Sequence, residues 1–231
     1  MNRIIILICS VFFVFVASNL FSEVKFKKWY VFKHNLNGYF FIEKHVFENS
    51  ATTIVFNIFI KLKNKKVSYI QEITAVCKND SHYTPEHIEV TTKINNKKKS
   101  YMYTIQKSAN GYKMFFNDYK YVEESKVTKG VMLNYILFIK LCELPFDKTK
   151  IFTYHRLEPG SYRVKKNHTI RYKGKEQVWY DGKKQALHKF FMSHGSYNCY
   201  VNDAHELVFA KIDGKVNSST EKKAKEFYKS L

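Results

Sequence analysis

Three prolines and eight glycines in 231 residues leave this chain with little punctuation. That scarcity excludes a glycine-, proline- or serine-rich linker, and no period of repeat length is visible, so the chain reads as one domain rather than an array. Cysteine is scarce too. Beyond Cys9 near the start there are only Cys77, Cys142 and Cys199, an odd number without the close spacing of a metal ribbon or a disulfide-dense scaffold. A single Cys77–Cys199 bridge in an oxidising compartment and small buried strand cysteines both remain open. Arginine is the third shortage: of 39 basic residues only Arg3, Arg156, Arg163 and Arg171 carry the guanidinium that bidentate phosphate recognition prefers. No G-x-S-x-G elbow, H-E-x-x-H helix, phosphate-cradling glycine loop or dinucleotide fingerprint occurs, so no catalytic, cofactor or metal residues are expected and the protein reads as a non-enzyme. Glu123 and Glu124 are adjacent carboxylates, but neighbours on a strand point to opposite faces and do not converge on one substrate.

What the chain does have is a leader, lysine and aromatic residues. Arg3, an apolar run Ile4–Val16 and small residues up to Ser22 have the layout of a secretory signal peptide, with cleavage expected after Ser18 or Ser22. The run is shorter than the roughly 20 residues a spanning helix requires. The expected organisation is a signal peptide at 1–22, a single β-rich domain at 23–214, and a basic tail or short helix at 215–231, in a periplasmic or secreted location. The net charge of +19 is carried by lysines spread over the turns at 63–66 and 96–99 and along strand faces, as on a solvated, aggregation-resistant surface. An anionic envelope surface or lipid is the partner that this charge leaves open, and nucleic acid is disfavoured by export.

The periodicity is that of β structure. TTIVFNIFIKL at 52–62 places Ile54, Phe56, Ile58, Ile60 and Leu62 on one face, and the same alternation recurs at 99–107 and 197–202. Further strands are expected at about 24–34, 39–48, 67–77, 87–95, 112–121, 150–157, 167–173, 175–180, 184–192 and 205–212, with Asn37-Gly38, Asn110-Gly111 and Asp181-Gly182 as tight turns. Consecutive hairpins of this kind predict a mainly β fold, a large antiparallel sheet curled into an open or half barrel. VMLNYILFIKLCEL at 131–144 breaks the pattern. It is almost wholly apolar, follows Thr128 as a cap and stops before Pro145, which predicts one buried helix with Lys140 and Glu143 pairing on its polar edge.

Three stretches resemble chemistry. CKNDSHYTPEH at 77–87 holds Cys77, His82, Glu86 and His87, ligand types in a spacing that matches no known metal geometry and that reads as a strand-to-strand loop. His188, His194 and His205 are expected in solvent, at a turn and at a strand start. QVWYDGKKQALHKFF at 177–191 gathers Trp179, His188 and lysines around Asp181-Gly182 and is read as a hairpin turn rather than a site.

From about 131 to 213 an apolar helical segment is followed by Leu144-Pro145-Phe146, Ile151-Phe152-Thr153-Tyr154, Gly174-Lys175-Glu176-Gln177-Val178, Asp181-Gly182, Val201-Asn202-Asp203 and Glu206-Leu207-Val208. This layout resembles exported bacterial β-rich proteins of a domain-of-unknown-function family, distantly like the half barrels that carry lipoproteins across the periplasm. The resemblance implies an exported fold with no catalytic residues. Two functional readings follow: an amphiphile or envelope component bound in the concave face of the sheet, with Ile136, Phe138, Trp179 and Tyr197 as apolar contacts, or a solid-core structural or partner-binding module acting through its basic outer surface. A large apolar cavity inside favours the first and a packed interior the second.

Overall fold

The computed structural model describes residues 22–33, 37–47, 50–64, 67–94, 100–116, 120–125, 129–158, 164–211 and 215–231. The leader through residue 21, the turn at 96–99, residues 65–66 of the other lysine turn, Arg163 and Thr128 lie outside the described residues, as do the side chains of Glu123 and Glu124. The fold is mainly β. Fifteen strands among the described residues form one sheet: β1 (Ser22–Lys33), β2 (Asn37–Phe47), β3 (Ser50–Lys63), β4 (Ser68–Lys78), β5 (Pro85–Ile94), β6 (Ser100–Ser108), β7 (Gly111–Phe116), β8 (Lys120–Ser125), β9 (Val131–Leu133), β10 (Ile151–Leu157), β11 (Val164–Tyr180), β12 (Lys183–Met192), β13 (Tyr197–Val201), β14 (Leu207–Lys211) and β15 (Lys215–Ser219). Two helices accompany them, α1 (Leu137–Glu143), entered through a 3-10 turn at Asn134–Ile136, and α2 (Glu221–Lys229).

The order runs β8 to β1, then β15 back to β9, so the first and last strands pair in the middle of the sheet and the chain midpoint supplies both edges. All neighbours are antiparallel except β9 and β10, which run parallel across the α1 connection. Edge strands β8 and β9 are joined by residues 126–130, a link whose extended span is at most about 20 Å. The sheet must therefore curl to bring its edges together, an open antiparallel barrel.

Alternation dictates which faces meet. Ile54, Phe56, Ile58 and Ile60 of β3 and Gln71, Ile73, Ala75 and Cys77 of β4 all point inward and are buried. Burying such side chains contributes roughly 1.5–3 kcal/mol each for the large aliphatics and phenylalanine. Helix α1 fills the interior: Leu137, Phe138, Ile139 and Leu141 are buried, and Phe138 meets Tyr30 and Phe40 with ring centroids 5.7 and 5.6 Å apart. Its far end is tied down by polar contacts. Lys140 pairs with Glu143 at 3.3 Å, and Glu143 also accepts from the Tyr83 hydroxyl and from Lys44.

The buried helix is shorter than the apolar run suggests. Val131–Leu133 are spent on pairing with β10, which leaves seven residues for α1. The run at 112–121 is two strands, β7 and β8, on either side of residues 117–119, which lie outside the described residues. The runs at 167–173 and 175–180 are one strand, β11, with a register shift between Tyr172 and Gly174. Lys215–Ser219, grouped with the tail from their composition, pair with both β14 and β1, and residues after Thr220 form α2. Asn37-Gly38 is not a turn but the start of β2; Gly38 is needed because a Cβ there would stand 2.1 Å from the Lys61 carbonyl oxygen. Asp181-Gly182 is a turn, with φ of 50° and 73°. Cys77 and Cys199 are buried and unbridged, and Cys142 is also free.

Candidate binding site

The side chains with chemistry collect around β10 and β11. A register shift between Tyr154 and Arg156, and left-handed backbone at Asn167 (φ 61°), break the alternation there and turn polar groups toward one another. Of the spaces that adjoin this strand pair, three bear on these groups.

The first is an apolar groove of about 280 Å3 lined by Leu144, Pro145, Ile151, Phe152, Ile170 and Tyr172, with Lys150 at its border. Ile151 is 51% exposed, so the groove is open to solvent on that side. The second is a cleft of about 500 Å3, whose walls include His82, Lys129, His155, His168, Thr153 and Asn167. Groove and cleft meet where His82 of the β4–β5 loop stacks on Phe152, ring centroids 4.8 Å apart, and shares a 2.9 Å hydrogen bond with the Thr153 carbonyl. The third is an interior cavity of about 130 Å3 against α1, lined by Phe40, Phe138, Met192 and Tyr197 and by the polar groups of Arg156 and His194. A cavity of about 150 Å3 holds a benzene ring. This cavity is therefore too small for an extended acyl chain.

The wall between cleft and cavity is built from Tyr154, His168 and His194. Tyr154 is buried, its hydroxyl bonds Nδ1 of His194, and the His168 and His194 rings touch edge to face at 5.7 Å. Burial and the nearby Arg156 guanidinium push His194 from the ordinary imidazole value of 6.5 down to about 3. His168 is lowered by burial and then by Arg156, and His155 by burial and then by Lys166. All three imidazoles are therefore neutral at pH 7, so each presents one N–H donor and one acceptor nitrogen. Two buried atoms of this wall have no hydrogen-bond partner, Nε of Arg156 and Nε2 of His168. Nη2 of Arg156 pairs with Glu158, which also holds Lys165 at 3.1 Å.

A second polar relay stands at the far end of the groove. The Tyr172 hydroxyl shares a 2.8 Å hydrogen bond with Nδ1 of His188, whose Nε2 lies 2.8 Å from an Asp203 oxygen. Phe146 is stacked between the rings of His188 and His205, at 3.4 and 4.1 Å between centroids. His188 is thus not in solvent but 6% exposed. His205 lies in the turn before β14 with φ 57° rather than in a strand, and His194, though in a turn, is buried.

Of the apolar contacts expected from the sequence, Phe138 and Tyr197 share the interior cavity. Ile136 is fully buried among the core side chains. Trp179 is 71% exposed on the β11–β12 hairpin and belongs to none of the three spaces. Cys77, His82, Glu86 and His87 do not converge: Glu86 pairs with Lys78, and His87 with Glu89. Residue order offered little hint of His155, His168 and Arg156, because their meeting depends on the bulge; the one visible signal was the short run Lys165-Lys166-Asn167-His168 soon after His155-Arg156.

No protein-family model matches the chain, and no curated protein does. Among solved structures it is similar to a β-barrel-like protein of domain of unknown function DUF1849 from Brucella abortus, with a TM-score of 0.50 and 12% sequence identity over 84% of this chain and 94% of that one. At this identity the likeness shows the fold alone: the chain is a β-barrel-like protein.

Proposed function

We propose that this is an exported, non-enzymatic binding protein that holds a small anionic amphiphile across the β10–β11 pair, its apolar part in the groove and its head in the cleft. The observation that carries the reading is the His82–Phe152 stack, where an apolar groove of about 280 Å3 adjoins a histidine- and lysine-bordered cleft of about 500 Å3. Cavities that bind small ligands run to roughly 300–1,000 Å3 with a few convergent polar groups on apolar walls. A net charge of +19 favours an anionic head over a cationic one. The groove and cleft put such a ligand at the rim of the sheet rather than deep in its concave face.

Titration of the protein with decanoate and decyl phosphate tests this. Saturable binding is expected, weakened about tenfold by Ile151→Asp, which puts a charge in the groove, and by His155→Ala in the cleft, at unchanged melting temperature. Absence of binding, or binding that neither variant alters, overturns the reading. Export is tested separately: the mature protein is expected to begin near Asn19 or Glu23, and recovery of an intact Met1 in an integral-membrane fraction contradicts it.

A second reading, a solid-core structural or partner-binding module acting through its basic outer surface, is favoured by the small interior cavity and the filling of the interior by α1. It predicts no binding of either amphiphile.

A further inference from the structure

The hairpin around Asp181-Gly182 plays no part in the site just described, yet it is unusual in the molecule. Beta10 pairs with β11 only as far as Arg171, and β13 pairs with β12 only from His188 onward. Beyond those limits, Glu176–Tyr180 and Lys183–Leu187 have only each other as ladder partners among the described residues, a two-stranded ribbon about 15 Å long. Isolated ribbons are marginal, but one face of this one is braced. Tyr180 stacks on Phe209 at 5.1 Å, and Val178 packs against the cluster of Leu187, Tyr200 and Phe209.

The other face carries Trp179, which at 71% has the greatest exposure of the large apolar side chains among the described residues. Its cross-strand partner is Lys184; Lys183 stands opposite Tyr180, on the other face at the tip beside the turn, and both lysines are exposed. A braced ribbon that leaves a tryptophan in water does so against about 25 cal/mol per Å2 of apolar surface. Packing does not explain it, because the bracing side chains are on the opposite face.

We propose that this tip docks on an anionic lipid bilayer, with Trp179 entering the interfacial region and Lys183 and Lys184 lying against the lipid phosphates. Tryptophan prefers that zone because its ring is apolar and its N–H finds polar partners there. Lysines near an anionic membrane surface each strengthen binding about fivefold, and their stems cover apolar area while the ammonium stays in water. The net charge of +19 adds long-range attraction of the same sign. The inference stands apart from the amphiphile reading, since it uses neither groove nor cleft.

The chain carries its own probe. The other tryptophan, Trp29, is 7% exposed in a separate cluster, so a change in emission on adding vesicles reports Trp179. The full chain is mixed with phosphatidylcholine vesicles with and without about a third phosphatidylglycerol. The expected result is a blue shift, and quenching by brominated acyl chains, with the anionic vesicles and not with the neutral ones. Lys183→Ala with Lys184→Ala should weaken the response about twenty-five-fold. Trp179→Ala should abolish it, leaving only the constant Trp29 signal. Raising the salt should weaken it as well. No blue shift with either vesicle, an equal shift with both, or an undiminished response in the lysine variant overturns the proposal. So does a shift produced by a soluble polyanion such as heparin but not by vesicles, which would assign the tip to polyanions instead.

Discussion

The β3–β4 pair and the β10–β12 region are made from similar residues and behave differently. In β3–β4, eleven cross-strand pairs from Thr53–Lys78 to Lys63–Ser68 run without a register shift, and every second residue along β4 from Gln71 to Cys77 is buried. In β10–β12 the register shifts at Tyr154/Arg156 and again at Tyr172/Gly174, and left-handed residues stand at Asn167 and Asp181. The unbroken pair offers two uniform faces, one buried in the core and one mostly half-buried, where Phe59 packs in the cluster under α2. In the interrupted region that division breaks down: His155 and His168 line the cleft, Arg156 the cavity and Tyr172 the groove. Regularity makes the scaffold here, and departures from it make the places where a ligand fits.

If that division holds, the interrupted region still shares the core with the regular one, and the severest test strikes the point where they join. Ile136 is fully buried at the entry to α1. Ile136→Asp puts an unpaired charge in the core, with an expected loss above about 4 kcal/mol, enough to prevent folding of a marginally stable domain. Phe56→Ala in the regular half, by contrast, removes a fully buried ring and should cost about 3–5 kcal/mol. Chemical denaturation of both decides the matter. A much milder effect for Ile136→Asp would show α1 to be an accessory to a self-sufficient sheet.

The next effect depends on pH and belongs to the interrupted region alone. His194 is held near 3 in the folded protein against 6.5 ordinarily. On acidification the unfolded chain takes up the proton first, so the contribution of this group is complete above about pH 6.5 and is lost as the pH falls toward the folded value, at no more than about 1.4 kcal/mol per unit. His168 and His155, also lowered, act in the same direction. Melting temperature measured from pH 7 down to 4.5 should fall steadily, before the carboxylates begin to titrate. His194→Gln, which keeps an acceptor for Tyr154 without a titrating ring, should flatten the fall. An equally steep fall in that variant would remove His194 as its cause.

Two glycines sharpen the contrast further. Gly38→Ala, in the regular half, drives a methyl group into the Lys61 carbonyl oxygen at 2.1 Å and should cost more than about 2 kcal/mol, because the strands must part. Gly182→Val meets no atom within 4 Å, and its cost should be about 1–2 kcal/mol from the left-handed φ of 73° alone. A thermal melt that ranks them the other way would mean that the ribbon, not the sheet, limits stability.

Residue order made the regular half legible. TTIVFNIFIKL shows its buried face by simple alternation, and the hairpin sequence of strands implies a curled antiparallel sheet, as found. What stayed hidden was set by contacts distant in sequence. Val131–Leu133 look helical until β10 offers them a parallel partner, and Lys215–Ser219 look like a tail until β1 lies beside them. His188 looks solvent-facing on a lysine-rich strand, and only Phe146, 42 positions earlier by the numbering, covers it. Periodicity reports which face a residue takes in a uniform strand; a one-residue bulge reverses that face and leaves no trace in composition.

The smallest effect separates the two sides of the ribbon. Trp179 and Tyr180 are adjacent large aromatics near the same turn, and a reading by residue type alone would give them equal weight in packing. Tyr180 stacks on Phe209 and packs against the cluster that Phe209 forms with Leu187 and Tyr200, so Tyr180→Ala should cost about 1–3 kcal/mol. Trp179, 71% exposed, has little packing to lose, and Trp179→Ala should change stability by less than about 0.5 kcal/mol. Paired denaturation curves of the two variants measure the difference directly. Were Trp179→Ala to cost as much as Tyr180→Ala, the indole would be part of the fold in solution, and there would be no free side chain for a bilayer to take up. An indole whose removal costs the fold almost nothing is one whose presence at that tip has to be explained by what it touches outside the molecule.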